Sequence, residues 1–377
     1  MAHEMLARPS HDEANRIQYV VALKRFLLNI SEGNRHALNG SAGDAYERIH
    51  GRRPESWTEI GDALASDPFY QMWSAFTRSS QDVMWSTTER VVKMDLPRLK
   101  ETAARLGRRP AGGSLDIPED FVPPEDAFAA HIHGQPGGYL RGDNEGGFVA
   151  GAIYESGLHV FAGGNSRTAS DGDVLVAGVL RERYPNFAPR TGLDMGCSAG
   201  GSTIGIASNY PTLEEMHGID VGEGLVRYAH LRAEAMGVCV NYHQMDAGDL
   251  KFPDETFDLI YAHLLLHEAS PDKNREIMRE ALRVLRPGGL LVYHDVPIKA
   301  ADYDPFQRFL SGWQTSNNDE PFWDSFLDSD FPAMMVEAGF GARNVCETKA
   351  LIPGLTRSIY ILIGEKPTAD GAVGVQK

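Results

Sequence analysis

The sequence predicts an α/β protein in which a doubly wound, largely parallel sheet follows an all-helical N-terminal region. Two observations predict this fold class. From residue 191 onward, short apolar segments alternate with helical ones, an order typical of parallel sheets that carry helices on both faces. By contrast, the apolar residues of the segment 12–108 recur at helical spacing and show no strand-like alternation.

The elements of the α/β part can be justified in order. The helix before the fifth strand has clear boundary signals, because Ser270 suits the N-cap, Pro271 the first turn and Gly288 the end. The last two apolar segments, ARNVCETKA and SIYILIGEK, are predicted to close the sheet as an antiparallel pair. The five segments predicted as parallel strands are TGLDMG, EMHGIDV, VNYHQMD, FDLIYAHLLLHE and LLVYHDV.

Changes in composition along the chain predict four parts. The helical segment 1–108 is interpreted as a domain for dimerisation or for covering the active site, which predicts a homodimer. The segment 109–185 begins rich in Pro and Gly and is predicted to be a linker that folds over the ligand. The α/β domain spans 186–367 and contains an aromatic, acidic insertion at 301–340, and 368–377 is predicted to be a tail.

Composition also excludes several classes of protein. With 377 residues, 42% of them hydrophobic, the chain can bury a substantial core. Its formal net charge of −16 disfavours broad contact with a nucleic-acid backbone. No window approaches the roughly 20 apolar residues that cross a bilayer, and the N terminus lacks a signal-peptide pattern. Three scattered cysteines indicate neither a disulfide framework nor a zinc cluster. We therefore expect a cytoplasmic protein without nucleic-acid or membrane partners.

The stretch LDMGCSAGGST, residues 193–203, concentrates glycines between the first strand and the first helix of the sheet. In a doubly wound sheet this turn lies at the ligand-binding edge. The spacing of Gly196, Gly200 and Gly201 differs from the G-x-G-x-x-G pattern of dinucleotide-binding folds. An acid at Asp194 would not help to bind a pyrophosphate, whereas it suits a ligand with an ammonium group, such as S-adenosylmethionine.

Residues 191–300 resemble the class I S-adenosylmethionine-dependent methyltransferases, and among these the ubiquinone- and menaquinone-type enzymes that act on small molecules. LDMGCSAGG resembles their first motif, with Ser198 in place of the middle glycine, and HGIDV resembles the second. MDAGDLKFPDETFDLIYA resembles the third, and REALRVLRPGGLLVYHD resembles the late helix, turn and strand. The resemblance implies a Rossmann-like, seven-stranded sheet and S-adenosylmethionine as cofactor.

The resemblance also implies which residues bind the cofactor. Asp220 would accept hydrogen bonds from both ribose hydroxyls, Asp246 would receive the adenine amino group, and the Ala247 N–H would face the ring. The complete set of expected cofactor-binding residues is Asp194, Gly196, Cys197, Ser198, Gly200, Asp220, Val221, Asp246, Ala247 and His263.

Three residues are candidates for catalysis. His267, in a stretch that resembles the LLH of the quinone-type enzymes, is a candidate general base; alternatively it braces the following turn. His294 is a second candidate base with Asp295 as its orienting partner, although adjacent strand residues point to opposite faces, so at most one of them faces the site. Tyr139 is a candidate to cover the methyl group.

Three further residues are candidates for binding the substrate. His133 and Arg141 belong to HIHGQPGGYLRGD, where Arg141 would meet a carboxylate; the alternative is a surface turn with incidental polar groups. Trp313 lies in the insertion and would line a pocket or pack against the N-terminal helices. The pair His131-x-His133 has no evident third ligand, so the sequence predicts no metal site.

Together these features predict an enzyme that transfers a methyl group from S-adenosylmethionine to a small-molecule metabolite, with carboxylated metabolites among the candidates, at an O-, S- or C-acceptor. An alternative is an enzyme of the same fold and cofactor that catalyses a cyclisation or rearrangement in natural-product biosynthesis. A disused cofactor site is disfavoured, because such a site has no need of Asp194, Asp220 and Asp246 together.

Overall fold

The computed structural model begins with a helical region, as predicted. Residues 3–108 form α1 (His11–Ile30), α2 (Gly33–Asn39), α3 (Ser41–His50), α4 (Trp57–Leu64) and α5 (Pro68–Leu106). The 39 residues of α5 span roughly 60 Å at the helical rise per residue. The described parts of the chain are residues 3–108, 111–128, 131–142, 146–161, 170–296, 303–351 and 358–368.

A single sheet organises the rest of the described chain, and it confirms the predicted α/β class. The strands are β1 (Ser114–Asp116), β2 (Thr191–Met195), β3 (Glu215–Asp220), β4 (Asn241–Gln244), β5 (Phe257–His263), β6 (Leu285–Asp295), β7 (Val345–Leu351) and β8 (Ser358–Glu365). Their order is β1-β4-β3-β2-β5-β6-β8-β7. β1 to β6 run parallel, and β8 lies antiparallel between β6 and β7.

The sheet differs from the predicted seven strands, since the described residues form eight. The additional strand is β1, which falls inside the segment predicted as a linker and pairs Ser114 with Asn241. A strand of three residues is too short to show alternation, so only its pairing with β4 defines it. The helix before β6 also ends earlier than predicted, because Leu285 already pairs with Phe257.

Helices cover both faces of the sheet. They are α6 (Val149–Phe161), α7 (Ser170–Arg183), α8 (Gly201–Asn209), α9 (Glu223–Met236), α10 (Pro271–Val284), α11 (Pro305–Asn317), α12 (Trp323–Asp328) and α13 (Phe331–Ala338). One apolar core lies on the side of α7, α8 and α9 and includes Val292 of β6. The opposite core lies on the side of α10 and α13 and includes Tyr293. The doubly wound arrangement follows from these two cores.

The N-terminal helices share buried surface with the α/β part. Trp85 of α5 and Ile153 of α6 pack in one apolar cluster with Ala199 and with Tyr228 of α9. A second contact joins α4 to α11, where Ile60 and Leu64 bury Phe306. α5 therefore runs alongside the carboxyl ends of the strands, where the site described below is found.

Among the described helices, none combines the length and the apolar character that spanning a bilayer requires. Of the predicted tail 368–377, residues 369–377 lie outside the described residues.

Candidate active site

The glycine-rich stretch forms the turn from β2 into α8. Gly196 has φ +69° and Gly200 has φ +76°, values that side chains other than glycine rarely adopt. At Gly200 a Cβ would also lie 2.6 Å from the Tyr242 hydroxyl oxygen and 2.9 Å from the Ala229 Cβ. A tight turn and close packing against the neighbouring strand and helix thus account for these two glycines.

Asp194 holds this turn from beneath. Its side chain is fully buried, and its Oδ2 accepts hydrogen bonds from Ser202 Oγ at 2.7 Å and Thr203 Oγ1 at 2.6 Å. Burial raises the pKa of Asp194 to about 7, although both hydroxyls oppose the rise. Its Oδ1 has no hydrogen-bond partner among the described residues. The carboxylate fixes the first turn of α8 and keeps one oxygen available.

Asp220 ends β3 and joins the neighbouring turn to the glycine-rich loop. Its Oδ2 accepts the Ser198 N–H and its Oδ1 accepts the Gly222 N–H, both at 2.9 Å. Burial raises the pKa of Asp220 to about 6, against the effect of these backbone donors. Val221 is anchored through its carbonyl oxygen, which accepts from Gln244 Nε2 at 3.0 Å.

Asp246 follows β4 and lies at the same edge of the sheet. Its Oδ1 accepts the Gly248 N–H at 2.8 Å, and its Oδ2 accepts Lys273 Nζ at 3.2 Å. Ala247 beside it is buried. The ends of β2, β3 and β4 therefore bring together the main residues expected to bind the cofactor, and we call Asp194, the loop 196–200, Asp220 and Asp246 the cofactor edge.

The segment 131–142 lies across this edge. A Cβ on Gly222 would be only 2.4 Å from the Tyr139 carbonyl oxygen, so the two backbones are in close contact. The Tyr139 hydroxyl donates to Glu268 Oε1 at 2.8 Å, and its ring lies 5.9 Å from that of Tyr154 on α6. Burial and the Glu268 carboxylate raise the pKa of Tyr139 well above its usual value, which keeps its hydroxyl a donor.

Four side chains meet beside Tyr139, and we call them the histidine–glutamate cluster: His133, His267, Glu268 and Glu320. They come from the segment 131–142, the short 3-10 helix after β5 and the part of the insertion that follows α11. Each of the four residues offers one potential ligand atom, and these four atoms all lie within 4.8 Å of one another. His133 Nε2 is 3.1 Å from Glu268 Oε1, and His133 Nδ1 contacts Glu320 Oε1.

The cluster is electrostatically coupled and largely enclosed. The Glu320 side chain is 2% exposed and that of His267 is 4% exposed. Although burial opposes it, the two carboxylates raise the pKa of His133, and the neighbouring histidines lower that of Glu268. Burial raises the pKa of Glu320. The second oxygens, Glu268 Oε2 and Glu320 Oε2, are buried without a hydrogen-bond partner among the described residues.

Asp295, at the end of β6, orients His267. Its Oδ1 accepts from His267 Nδ1 at 2.6 Å, and its Oδ2 accepts the Leu266 N–H at 3.0 Å. Trp323 and Phe326 of α12 present their rings at 5.4 and 5.7 Å from the imidazole. His267 Nε2 consequently faces Glu268 Oε1, 3.5 Å away.

The structure places His294 and His263 on the other face of the strands. The two imidazoles stack with ring centroids 4.3 Å apart, and His294 Nδ1 lies 2.9 Å from the Tyr261 hydroxyl. Burial lowers the pKa of His263 to about 4 and that of His294 well below its usual value. As expected from strand alternation, His294 and Asp295 point to opposite faces of the sheet. Asp295, and not His294, faces the cluster.

Two residues expected to contact the substrate have protein partners. Arg141 Nη2 pairs with Glu89 of α5 at 2.5 Å, so its guanidinium ties the 131–142 segment to the N-terminal region. Trp313 is buried, donates from Nε1 to Ser74 Oγ at 2.8 Å and packs edge-on against Trp73. For Trp313 the alternative of packing against the N-terminal helices matches the observed contacts.

Glu320 is not among the residues predicted from the sequence, and Asp295 orients His267 rather than the predicted His294. Glu320 follows Asn318 and Asp319 in a polar stretch of an otherwise aromatic insertion, and nothing local links it to His133. The expectation of no metal site rested on the missing third ligand of His131-x-His133. The fold brings three further candidate ligands to His133 from distant parts of the chain.

A protein-family model described as a methyltransferase domain matches residues 193–289. Methyltransferase GfsG of Streptomyces halstedii is 29% identical over 163 residues, covering 42% of this chain and 56% of that protein. The 27-O-demethylrifamycin SV methyltransferase of Amycolatopsis mediterranei is 36% identical over 122 residues, covering 31% and 43%. The chain thus spans about half the length of these curated relatives. The solved structure of the YcgJ protein from Bacillus subtilis is 22% identical, with a TM-score of 0.35 over 51% of this chain and 98% of that one.

The matched region runs from the glycine-rich loop to the beginning of β6 and contains Asp220, Asp246 and two members of the cluster, His267 and Glu268. Residues 193–289 therefore match a methyltransferase domain, which confirms the predicted resemblance of this region to the class I S-adenosylmethionine-dependent methyltransferases.

Proposed function

We propose that this protein transfers a methyl group from S-adenosylmethionine to a small-molecule acceptor held between the cofactor edge and the histidine–glutamate cluster. The observation that carries the proposal is the contact between these two regions. A Cβ on Gly196 would lie 3.0 Å from Leu265 Cδ1, and Leu265 directly precedes the 3-10 helix that bears His267 and Glu268. A methyl group at this edge is therefore close to a group of buried acids and bases.

The cofactor would be held by the carboxyl ends of β2, β3 and β4. Both oxygens of Asp220 already accept one backbone N–H each, and a carboxylate oxygen has two acceptor sites, so capacity for two ribose hydroxyls remains. Asp246 would accept the adenine amino group, with the Ala247 N–H beside the ring. The unpartnered Asp194 Oδ1 would face the ammonium group.

Methyl transfer requires an in-line arrangement of acceptor, methyl carbon and sulfur. A lone pair of the acceptor atom forms the new bond to carbon, and the C–S bond breaks with its electron pair remaining on sulfur as S-adenosylhomocysteine. If the acceptor carries a proton, we infer that it passes to Glu320 Oε2, which has no hydrogen-bond partner among the described residues. His267 is a poorer candidate for the base, because its Nδ1–H is committed to Asp295 Oδ1 and its Nε2 faces Glu268 Oε1, 3.5 Å away.

A small acceptor is supported by the enclosure of the site. Segment 131–142 covers the cluster, and Glu320 is 2% exposed, so a folded protein or a polynucleotide would not reach the cluster without displacing this cover. The name of the Amycolatopsis relative specifies a small-molecule acceptor, which agrees with this proposal. The acidic net charge of −16 disfavours nucleic acid as the acceptor.

The test is incubation of the full-length protein with methyl-labelled S-adenosylmethionine and small-molecule fractions of a cell extract. The expected result is a labelled small molecule formed together with S-adenosylhomocysteine, both quantified by mass spectrometry. D220A is the matched negative control, and D249A, which removes an exposed acid near the same edge, should behave as the wild type. Cofactor binding without any labelled product across all fractions would contradict methyl transfer.

A further inference from the structure

We propose that His133, His267, Glu268 and Glu320 bind a divalent first-row transition-metal ion beside the methyl-transfer site. One potential ligand atom from each residue lies within 4.8 Å of the others. Ligands at about 2.0–2.2 Å from a metal lie at most about 4.4 Å from one another, so small side-chain adjustments bring all four to bonding distance. The ligands come from three separate segments, as expected for a site that the tertiary fold assembles.

A second observation, independent of spacing, is that two carboxylate oxygens in the cluster have no partner. Glu268 Oε2 and Glu320 Oε2 are both buried without a hydrogen-bond donor among the described residues, and the Glu320 side chain is 2% exposed. A buried carboxylate oxygen without a partner is costly. A cation in the cluster would give at least one of these oxygens a partner and would balance the two adjacent carboxylates.

The surroundings of His267 match those of a metal-binding imidazole. Asp295 Oδ1 accepts from Nδ1 at 2.6 Å, which leaves the lone pair of Nε2 for the cluster. A carboxylate that fixes the ring and its tautomer in this way is the usual partner of a metal-ligating histidine. Asp295 is itself fixed by the Leu266 N–H, so the ligand is held rigidly.

Helix α5 fixes the other side of the cluster. His133 has φ +59°, an uncommon conformation for a residue with a side chain, and its carbonyl oxygen accepts from Trp85 Nε1 at 2.8 Å and Gln81 Nε2 at 3.1 Å. Asp319, which precedes Glu320, has φ +53° and accepts from Arg78 Nη1 and Nη2 at 3.2 Å. Backbone strain of this kind persists where surrounding contacts impose it and is concentrated at functional sites.

The ligand types select the class of metal. Two imidazole nitrogens with two carboxylate oxygens suit zinc, manganese, iron or cobalt, whereas magnesium and calcium prefer oxygen ligands alone. Four protein ligands in a five- or six-coordinate ion leave a position open. As a consequence that rests on the proposed function, an oxygen of the acceptor would bind there, and the ion would lower the pKa of an acceptor hydroxyl.

The competing interpretation is a metal-free network in which a protonated His133 balances the two glutamates. The test therefore measures metal binding directly. Full-length protein is treated with a chelator, returned to metal-free buffer and titrated with Co²⁺ by visible absorption, and bound Zn²⁺ and Mn²⁺ are quantified after dialysis. We expect about one ion per chain, with weaker binding by on the order of 10–100-fold in D295N, which removes only the orienting carboxylate, and a greater loss in E320Q.

H217Q provides a matched control, because His217 contacts His243 at 3.0 Å in a histidine pair outside the cluster; it should bind metal as the wild type does. S-adenosylmethionine affinity, measured by calorimetry, reports whether each variant is folded. The proposal is overturned if wild-type protein that binds S-adenosylmethionine takes up no metal, or if E320Q and D295N both keep wild-type metal affinity.

The outcome is distinguishable from failure of the proposed function. Stoichiometric metal binding that is lost in E320Q, with no methylated product from any fraction, supports the metal site and contradicts methyl transfer. Labelled product formed at full rate by metal-free protein, with no uptake of added Co²⁺, supports methyl transfer and overturns the metal site.

Discussion

The cofactor edge and the histidine–glutamate cluster lie side by side but are built in different ways. In the cofactor edge each acid sits at the end of a strand and is held by N–H groups or hydroxyls close to it, such as those of Gly222 and Gly248 for Asp220 and Asp246. In the cluster, His133 contacts Glu268 and Glu320, which lie 135 and 187 positions further along the chain. The difference indicates that local motifs fix the proposed cofactor site, whereas long-range packing, including that of α5, fixes the proposed acceptor side.

The largest expected effect separates turnover from cofactor binding. In E320Q, loss of the proposed proton acceptor should reduce kcat by about 10²–10⁴-fold, the usual range for general acid–base catalysis. The affinity for S-adenosylmethionine should stay within about twofold of wild type, because Glu320 belongs to the cluster alone. Steady-state kinetics and calorimetry check both values. A parallel loss of cofactor affinity would show that the two regions are not separable.

The converse change is D220A at the cofactor edge. Two hydrogen bonds to a charged group contribute about 3 kcal/mol or more, so S-adenosylmethionine should bind on the order of 100-fold more weakly. The Ser198 N–H also loses its acceptor, which loosens the loop. Calorimetric titration measures the change, with D249A as the control. Wild-type affinity in D220A would refute the assignment of the ribose site.

The coupling of α5 to the cluster is tested by W85F. The change keeps a six-membered aromatic ring but removes the indole N–H that donates to the His133 carbonyl oxygen. We therefore expect the free energy of unfolding to fall by about 1 kcal/mol. We also expect kcat to decrease roughly tenfold, because His133 would be misplaced. W57F, at a partly exposed tryptophan of α4, is the control. If W85F lowers stability without lowering kcat, α5 supports the fold and not the cluster.

The pH dependence of S-adenosylmethionine binding tests the role of Asp220 at the cofactor edge. Burial raises the pKa of Asp220 to about 6, and the charged carboxylate is the form that accepts both ribose hydroxyls. Below pH 6 Asp220 must therefore lose a proton for the cofactor to bind, so affinity should rise toward tenfold per pH unit between pH 5 and 6. Above pH 6 the remaining rise should follow Asp194, whose pKa burial raises to about 7 and which would face the ammonium group. Calorimetry across this range should show the rise in wild type and its loss in D220N.

The smallest expected effect concerns Trp313. W313F retains the packing against Trp73 but removes the hydrogen bond to Ser74, so the free energy of unfolding should fall by about 1 kcal/mol. The KM for the acceptor should remain unchanged if this side chain only joins the insertion to the N-terminal helices. Thermal denaturation and acceptor kinetics distinguish this role from the substrate contact predicted from the sequence, which requires a higher KM.

The sequence by itself determined the α/β class, the positions of the parallel strands β2 to β6 along the chain and the acids and glycines of the cofactor edge. These features follow from short-range rules: apolar periodicity, helix boundaries and turn glycines such as Gly200, whose positive φ is a property of its own backbone. Strand alternation also predicted that at most one of His294 and Asp295 faces the site.

Only the tertiary structure decided which one does, since the face of β6 that meets His267 depends on how the sheet packs against α10 and α12. The tertiary structure also decided that β1 is a strand, because its three residues pair with β4. It likewise placed Arg141 and Trp313 against partners on α5 and brought Glu320 into the cluster. Such contacts depend on the free energy of packing residues that are far apart in the sequence, from 52 positions for Arg141 and Glu89 to 239 for Trp313 and Ser74, and no pattern within a few residues of the chain encodes them.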